Sequence, residues 1–308
     1  MKIILTGCNG GLGSEVTRTL IERKHEVLGT DLEPRADAPC RVVLGDLLDP
    51  FFVHRLIDEL GEVDAIVHIA NHPHQHAAPP DRLLRENTAM NTHVFLAAAD
   101  RRVRRVVFAS SIQAWMGGKP HDESVGRGGI VDQVDRLPID ERTTLQPRNV
   151  YGLSKMLGEQ MLDAMCRDQF SAGRLSAASL RFPWIAPSAA QAARWAHWHI
   201  RSLAERDVDL RDLGSYVTRE DAALGAALAA EAAFTGHERL WIVAPDTRFA
   251  PRPVHEVARE YFADTPGVEW VIEHGNFFNV ERTEAVLGWR GKPEFSRHVS
   301  EALAEQGS

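Results

Sequence analysis

The sequence predicts an α/β protein, with a doubly wound parallel sheet followed by a smaller, mostly helical C-terminal lobe that helps to bind the substrate. Short apolar segments alternate with amphipathic stretches through the first half, and glycines follow the first apolar segment. Apolar strands separated by helices are typical of parallel sheets covered on both faces. Because the pattern changes after Pro183, we expect residues 1–183 to form the main domain and 184–308 the lobe, with some elements returning to the main domain.

The individual elements follow from residue periodicity. The predicted strands of the first half are 2–6, 26–30, 41–45, 64–70, 105–110 and 177–182. The predicted helices between them are 12–23, 51–60, 82–101 and 150–170. In the second half we expect helices within 187–207 and 218–234 and strands near 239–243 and 268–272. Residues 117–148 lack periodicity and are rich in Gly, Pro and charge, so they are predicted to be either a functional flap or a mobile insertion.

Composition excludes several classes of function. The 308 residues carry a formal net charge of −8 without a basic cluster, which argues against nucleic acid as a partner. No apolar run is long enough to cross a bilayer, so no membrane partner is expected. The cysteines, Cys8, Cys40 and Cys166, have no metal-type spacing, and their scarcity favours reduced thiols in a cytoplasmic protein.

A glycine-rich turn joins the first strand to the first helix in "ILTGCNGGLGSEV". Glycines at this spacing allow a tight turn and bring backbone N–H groups and a helix N-terminus close to a pyrophosphate. The dinucleotide-binding candidates in this loop are Gly7, Gly10, Gly11, Leu12 and Gly13. The sequence therefore predicts a Rossmann-type nucleotide site.

An acid after the second strand indicates which dinucleotide binds. Asp31 can accept hydrogen bonds from both adenosine ribose hydroxyls and would repel a 2′-phosphate, which favours NAD and makes NADP less likely. Arg35 lies close in sequence and keeps NADP open as the alternative. Asp46, followed by Leu47, can accept from the adenine amino group, but it could equally cap the next helix. Ile69 and Ala70 end the fourth strand, where small residues let a cofactor pass closely.

The segment "NVYGLSK" places Tyr151 four residues before Lys155, so both side chains share one face of a helix. A tyrosine with an ordinary pKa of about 10 is a poor base at neutral pH. A nearby ammonium and a positive nicotinamide ring would lower that pKa. The alternative is a helix start with a partly exposed tyrosine and a solvated lysine.

Together the motifs resemble the extended short-chain dehydrogenases/reductases of the NAD-dependent epimerase/dehydratase family. They are "TGCNGGLG" (6–13), "ASS" (109–111), "YGLSK" (151–155), "LRFPWIAP" (180–187) and "LGW" (287–289), in family order. The resemblance implies that Tyr151 is the base and that Lys155 also holds the nicotinamide ribose. It implies that Ser111, or alternatively Ser110, holds the substrate oxygen and that Asn87 supports the lysine through water. It also places Phe182 and Pro183 beside the cofactor.

The resemblance leaves three hypotheses about the reaction. The segment after Ser111, "IQAWMGG", lacks the acid pair of sugar dehydratases, and the lobe is short and resembles that of the sugar-acid (uronate) dehydrogenases. We therefore expect an NAD-dependent oxidoreductase that takes hydride from a hydroxyl of a sugar or sugar acid. The alternatives are a nucleotide-sugar epimerase similar to UDP-glucose 4-epimerases and a non-catalytic dinucleotide-binding module.

The remaining candidates concern substrate, metal and assembly. The substrate candidates are Asn71, His72, Gln113 and Arg194. The histidine run of His72, His74 and His76 invites a metal, but no metal is expected because NAD carries the chemistry of the family. That run is expected to line the substrate mouth or to be a solvated loop. Apolar faces on the helices near 88–101 and 151–168 predict a homodimer, as in relatives.

Overall fold

The structure is a computed structural model that describes residues 1–115, 134–167, 174–187 and 210–306. Seven parallel strands form the main sheet in the order β3-β2-β1-β4-β5-β6-β9. They are β1 Lys2–Thr6, β2 Glu26–Asp31, β3 Arg41–Leu44, β4 Ala65–His68, β5 Arg105–Ser111, β6 Ser176–Phe182 and β9 His237–Trp241. A second, two-stranded sheet pairs β7 Trp184–Ala186 with β8 Tyr216–Thr218. The doubly wound α/β prediction is confirmed.

The described helices follow the predicted pattern in the first half. They are α1 Gly11–Glu22, α2 Phe52–Leu60, α3 Pro80–Asp100, α4 Val150–Met165, α5 Arg219–Glu231, α6 Val254–Tyr261, α7 Val268–His274, α8 Glu281–Leu287 and α9 Glu294–Gln306. The predicted strand near 268–272 is wrong, because this segment is the helix α7. Its buried residues, Val268 and Val271, have helical spacing, and glycines with positive φ end the segment on both sides. No helix in the described ranges is long and apolar enough to span a membrane.

The sheet is covered on both faces, as parallel sheets require. Alternate residues of β1 face opposite sides, so Ile3 and Leu5 pack with α1 and α5, whereas Ile4 packs with α2, α3 and α4. Both α5 and β9 lie beyond residue 184, and both pack into the main sheet rather than into a separate body. The division at residue 184 itself stays a prediction.

A third apolar cluster lies mostly within the C-terminal half of the chain. It joins Trp115 after β5 to aromatic residues of the C-terminal half, including Trp241, Phe277 and Phe278. The described part of the predicted flap, 134–148, is fastened to this cluster, because Ile139 N–H donates to the Phe277 carbonyl at 2.8 Å. The rest of the predicted flap and most of the predicted helix at 187–207 lie outside the described residues.

A buried ion pair lies behind the carboxyl end of β5. Glu159 on α4 accepts two hydrogen bonds from Arg181 on β6, at 3.0 and 2.7 Å, and both side chains are about 1% exposed. Ser110 donates to the same carboxylate at 2.6 Å. The Arg181 guanidinium also lies over the Trp241 ring, 4.9 Å from its centroid. The pair therefore links α4, β5, β6 and β9 beneath the site.

This geometry predicts a large stability loss when one partner alone is removed. Glu159→Leu leaves the Arg181 charge buried and unpaired, so we expect the free energy of unfolding to fall by about 3–5 kcal/mol in urea titrations. The double variant Glu159→Leu/Arg181→Met should recover much of that loss. Glu284→Gln breaks a solvent-exposed pair with Arg290 and is the control, with a change of about 0.5 kcal/mol or less. Equal losses in the single and double variants would contradict this interpretation.

Candidate functional site

The site forms at the point where the sheet reverses its winding direction. The strand β1 lies between β2 and β4, and chain connections leave it on opposite sides. Thr6 and His68 are paired at the same edge, at the carboxyl ends of β1 and β4. Ligands of open α/β sheets bind in the crevice at such a switch point. The predicted phosphate loop, Tyr151 and Lys155 all lie at this edge.

The phosphate loop leaves the N-terminus of α1 open to an anion. Gly7 has a φ of +72°, and a Cβ there would lie 2.9 Å from the Ala70 nitrogen, so the loop can approach β4 only with glycine. A Cβ on Gly13 would clash with the Gly7 carbonyl oxygen. Gly10 and Gly11 are exposed, and no side chain caps the first N–H groups of α1. Those groups and the helix dipole suit a pyrophosphate.

Asp31 is placed to receive hydroxyl groups beside that loop. One carboxylate oxygen accepts the Asn9 N–H at 2.9 Å and the other accepts the Leu32 N–H at 2.8 Å, which fixes the carboxylate at the end of β2. Each oxygen keeps a second lone pair for a ligand. Arg35, the residue that left NADP open, is paired with Asp37 through two hydrogen bonds of 2.6 and 3.1 Å. This environment fits an unphosphorylated ribose.

The other cofactor candidates line the same crevice less directly. Asp46 is exposed and accepts the Leu48 N–H at 2.8 Å, so its side chain stabilises a turn rather than capping α2. Leu47 is buried, and Ala70 donates its N–H to the Thr6 hydroxyl at 3.2 Å. Leu12 lies in the first turn of α1, and the remaining candidates, Ile69, Phe182 and Pro183, lie at strand ends. Their roles stay predictions.

Tyr151 and Ser111 meet because α4 begins directly against the end of β5. Ser111 caps a short 3₁₀ turn by accepting the Gln113 N–H at 3.1 Å. A Cβ on Gly152 would clash with the Gln113 carbonyl oxygen, so the glycine of "YGLSK" permits this close contact. The Ser111 side chain lies near enough to the buried Tyr151 phenol to act on its pKa, which it lowers. Ser110 instead points into the core at Glu159, which favours Ser111 as the site serine.

The Lys155 ammonium is buried and held from two sides. It donates to the Ala109 carbonyl at 2.8 Å and to the Asn71 side-chain oxygen at 3.0 Å. It lies 4.9 Å from the centroid of the Phe108 ring and 5.5 Å from that of the Tyr151 ring. An ammonium has three N–H donors, so one remains for a ligand.

A buried polar network continues from Asn71 to the end of β1. Asn71 donates to the Asn91 side-chain oxygen at 3.1 Å, and that oxygen also lies 3.0 Å from His68 Nε2. The Thr6 hydroxyl accepts two backbone N–H groups, so its own proton goes to His68 Nδ1 at 2.8 Å. Burial and the Lys155 charge lower the pKa of His68 to about 3, so the ring stays neutral. The network therefore orients Asn71 toward Lys155 without adding a second buried charge.

Sequence reasoning missed this network. It treated Asn71 as a substrate candidate and gave no role to Asn91. The available signal was the spacing of Asn87 and Asn91, which places two buried amides on one face of α3. Asn87 does not contact Lys155 directly in the described structure. It accepts the His72 N–H at 2.8 Å and donates to Ser154 at 3.1 Å, so its predicted water-mediated support of the lysine stays a prediction.

In the polypeptide alone, burial sets the pKa values of Tyr151 and Lys155. Burial raises the pKa of Tyr151 to about 12, and the Ser111 side chain only partly opposes this. Burial lowers the pKa of Lys155 to about 7. In the polypeptide itself, the desolvation of the phenol dominates. The expected lowering of the tyrosine pKa included the positive nicotinamide ring as well as the ammonium, so it stays a prediction.

The substrate candidates have unequal positions. The His72 ring lies 2.7 Å from Glu86 at the rim of the crevice, while His74 and His76 are exposed. The Gln113 side-chain oxygen accepts from Asn149 at 3.0 Å, next to the start of α4. Arg194 lies outside the described residues. A contact of any of these residues with a substrate stays a prediction.

One cation at the phosphate loop was also missed. Arg219 is the first residue of α5, and its guanidinium comes within 3.3 Å of the position of a Cβ on Gly11. The described part of the chain offers this guanidinium no acidic partner. Acidic residues are favoured in the first turn of a helix. The basic residue at the start of "TRED" was therefore the sequence signal that could have identified Arg219. Arg219 and the uncapped N-terminus of α1 place positive charge beside the loop.

Comparison with known proteins agrees with the motifs. Residues 3–214 match the model of the NAD dependent epimerase/dehydratase family. Uronate dehydrogenase of Pseudomonas putida is 34% identical over 164 residues, which are 52% of this chain and 53% of that protein. UDP-glucose 4-epimerase of Lactobacillus helveticus is 28% identical over 170 residues, which are 53% of this chain and 46% of that protein. The chain thus spans about half the length of the curated relatives that it matches.

A solved structure extends the likeness to the whole fold. MoeE5 in complex with UDP-glucose and NAD has a TM-score of 0.67 and 19% identity to this chain, and the match covers 100% of both chains. At this identity the likeness shows the fold alone.

The buried lysine predicts a specific pH dependence of stability. Folding lowers the pKa of Lys155 from 10.5 to about 7, so between these values the unfolded chain binds the extra proton. The contribution of Lys155 to stability therefore rises with pH across this window, and its penalty is complete below pH 7.

Lys155→Met removes this titration. The difference in unfolding free energy between wild type and variant should change by about 2–4 kcal/mol across the window, in favour of wild type at high pH. Urea titrations at several pH values measure it. The exposed Lys24→Met variant is the control and should show no such trend. A difference for Lys155→Met that is constant with pH would show that the lysine titrates normally.

Proposed function

Because the chain belongs to the NAD-dependent epimerase/dehydratase family, we propose that it is an NAD-dependent oxidoreductase acting on a sugar or sugar acid. It removes hydride from a carbon that carries a hydroxyl group, and Tyr151 takes the hydroxyl proton. The convergence of Tyr151, Ser111 and Lys155 beside the phosphate loop carries this proposal. Identity to a uronate dehydrogenase over half the chain supports the substrate class.

Different residues of the chain hold the substrate oxygen and transfer its proton. The Ser111 hydroxyl holds the substrate oxygen next to the Tyr151 phenol, where the proton is transferred. Lys155 stabilises the phenolate that forms and uses its third N–H on a ribose hydroxyl of the cofactor. Its other two N–H groups stay on Ala109 and Asn71, which prevents the long side chain from sampling other rotamers. NAD, when bound, supplies the hydride acceptor and a positive ring charge.

The cofactor preference follows from the surroundings of Asp31. Its carboxylate is fixed at the end of β2 and repels a 2′-phosphate, while Arg35 is already paired with Asp37. NAD therefore binds more tightly than NADP. The open N-terminus of α1, which begins at the exposed Gly11, holds the pyrophosphate, and Arg219 adds a counter-charge.

The direct test of the function is a panel of uronic acids, aldonic acids and neutral sugars, followed through the absorbance of NADH. Turnover with a sugar acid and NAD is the expected result. The absence of NAD reduction with any member, in protein that binds NAD, would favour a non-catalytic dinucleotide-binding module.

A nucleotide-sugar epimerase is the second candidate, and the similarity to UDP-glucose 4-epimerase over about half the chain favours it. An epimerase regenerates NAD in each turnover and retains it, whereas a dehydrogenase must release NADH. Denaturing the purified protein and measuring the released nicotinamide separates the two. Stoichiometric release would support the epimerase.

The predicted homodimer is a further part of this proposal. Leu96 on the outer face of α3 is 40% exposed, which suits a contact between copies of this helix. In this arrangement α3 and α4 would form the shared core. Because these helices also carry Asn91 and Lys155, dimerisation would stiffen the site.

The two adjacent serines provide a matched test of the proton-transfer site. Ser111→Ala removes the hydroxyl that holds the substrate oxygen, so kcat/KM should fall by about 10²-fold. Ser110→Ala loses only the hydrogen bond to Glu159 and should keep kcat/KM within a few-fold while lowering stability. Tyr151→Phe should lose about 10²–10⁴-fold in kcat/KM with NAD affinity nearly unchanged. The opposite ranking of the serines would assign the role to Ser110.

The position of Arg219 predicts that its charge affects only the affinity for ligands that contain the pyrophosphate. Arg219→Gln should raise the Kd for NAD and for ADP by about tenfold, while the Kd for adenosine changes less than twofold. Calorimetric titration of the three ligands measures this. The loss should shrink at high salt because it is electrostatic. An equal loss for adenosine would mean that the variant distorts the loop.

A further inference from the structure

Two of the three cysteines meet behind the phosphate loop. Cys8 lies between Gly7 and Asn9 and is 2% exposed, whereas Cys40 precedes β3 and is half-buried. Both sulfurs pack over Gly29 in the middle of β2. A Cβ on Gly29 would lie 2.7 Å from the Cys8 sulfur and 3.0 Å from the Cys40 sulfur. The glycine thus creates the space that the two thiols share.

The two thiols are chemically unequal. The Cys8 thiol faces two acceptors, the Asn9 side-chain oxygen at 3.5 Å and the Cys40 sulfur. The hydrogen bond from Cys8, aided by the Gly29 backbone, lowers the pKa of Cys40 to about 7, against the effect of burial. The pKa of Cys8 is raised by the same hydrogen bond and by burial. A half-buried thiolate next to a buried thiol is the arrangement of an attacking and a resolving cysteine.

We propose that Cys8 and Cys40 are a redox-modification site, where a hydroperoxide converts the two thiols into an intramolecular disulfide that weakens NAD binding. The inference rests on the proposed cofactor role of the phosphate loop. It is independent of which sugar or sugar acid is oxidised.

The chemistry balances with hydrogen peroxide as the oxidant. The Cys40 thiolate attacks one peroxide oxygen, so an S–O bond forms, the O–O bond breaks, and the leaving hydroxide takes a proton to become water. The Cys8 sulfur then attacks the Cys40 sulfur, so an S–S bond forms and the S–O bond breaks. The second hydroxide leaves as water with the Cys8 proton. Two thiols lose two electrons in total, and one peroxide becomes two waters.

The disulfide affects NAD because Cys8 is part of the loop that holds the pyrophosphate. The N–H groups of Gly7 and Cys8 donate to the Thr30 carbonyl at 2.8 and 3.3 Å, and the Asn9 N–H donates to Asp31. A disulfide holds its sulfurs about 2.05 Å apart, closer than hydrogen-bonded thiols. Forming it draws Cys8 toward Cys40 and shifts the loop relative to Asp31. The N–H groups of the loop and the Asp31 carboxylate are then no longer spaced to bind the pyrophosphate and the ribose of the same dinucleotide.

The test uses the full-length protein and hydrogen peroxide. After treatment and removal of the peroxide, free thiols are alkylated, and peptides are mapped without reduction. The expected result is a Cys8–Cys40 cross-link with Cys166 still a free thiol that is alkylated in denaturant, since burial raises the pKa of Cys166 to about 12 and protects it from peroxide in the folded protein. The Kd for NAD should rise by about tenfold or more and return to its starting value with dithiothreitol.

Three variants provide the controls. Cys40→Ser should bind NAD like untreated wild type, both before and after peroxide, and Cys8→Ser should show no change on treatment. Cys166→Ser should respond like wild type. Two results would overturn the proposal: both thiols remaining alkylatable after peroxide, or a cross-link that leaves the Kd within twofold. A reduced protein that does not bind NAD would instead overturn the proposed function, whatever the cross-link shows.

Discussion

The buried Lys155 ammonium is the constraint on which the site depends. Removing a positive charge from water is costly, and the chain compensates with the Ala109 carbonyl, the Asn71 amide and the Phe108 ring. Those contacts fix the side chain at the carboxyl edge of the sheet. They still leave the pKa near 7, so the charge responds to whatever binds beside it. A ligand that accepts a hydrogen bond at this position favours the ammonium.

Tyr151 complements this charge through its own burial. A phenol with a pKa of about 12 holds its proton firmly at neutral pH. The polypeptide has therefore built a site in which the acid form of the tyrosine is stable and the ammonium is only partly populated. In the proposed function, the positive ring charge of bound NAD would stabilise the phenolate, and its ribose hydroxyls would accept a hydrogen bond from the lysine.

The sequence predicted what depends on local chemistry. The phosphate loop, the acid after β2 and the Tyr151–Lys155 spacing are each set by neighbours in the chain. The alternation of strands and helices predicted the doubly wound sheet. Asn91, His68 and Arg219 escaped prediction because their partners come from distant elements. Segment 268–272 was misassigned because its Val and Ile content suits strands. The flanking glycines and the helical spacing of its buried residues are instead consistent with the helix that the structure shows. The burial that raises the tyrosine pKa in the polypeptide alone could not be estimated from i,i+4 spacing.

The most direct test of the account is the pKa of Tyr151 with and without NAD. The chain has only three tyrosines, so ring-labelled tyrosine gives few NMR signals, and Tyr151→Phe assigns the relevant one. The account predicts that Tyr151 titrates near pH 12 in the protein alone. Saturating NAD should lower that pKa by about two units or more. A Tyr151 pKa that stays unchanged while NAD is fully bound would contradict the claim that cofactor charge turns this phenol into a base.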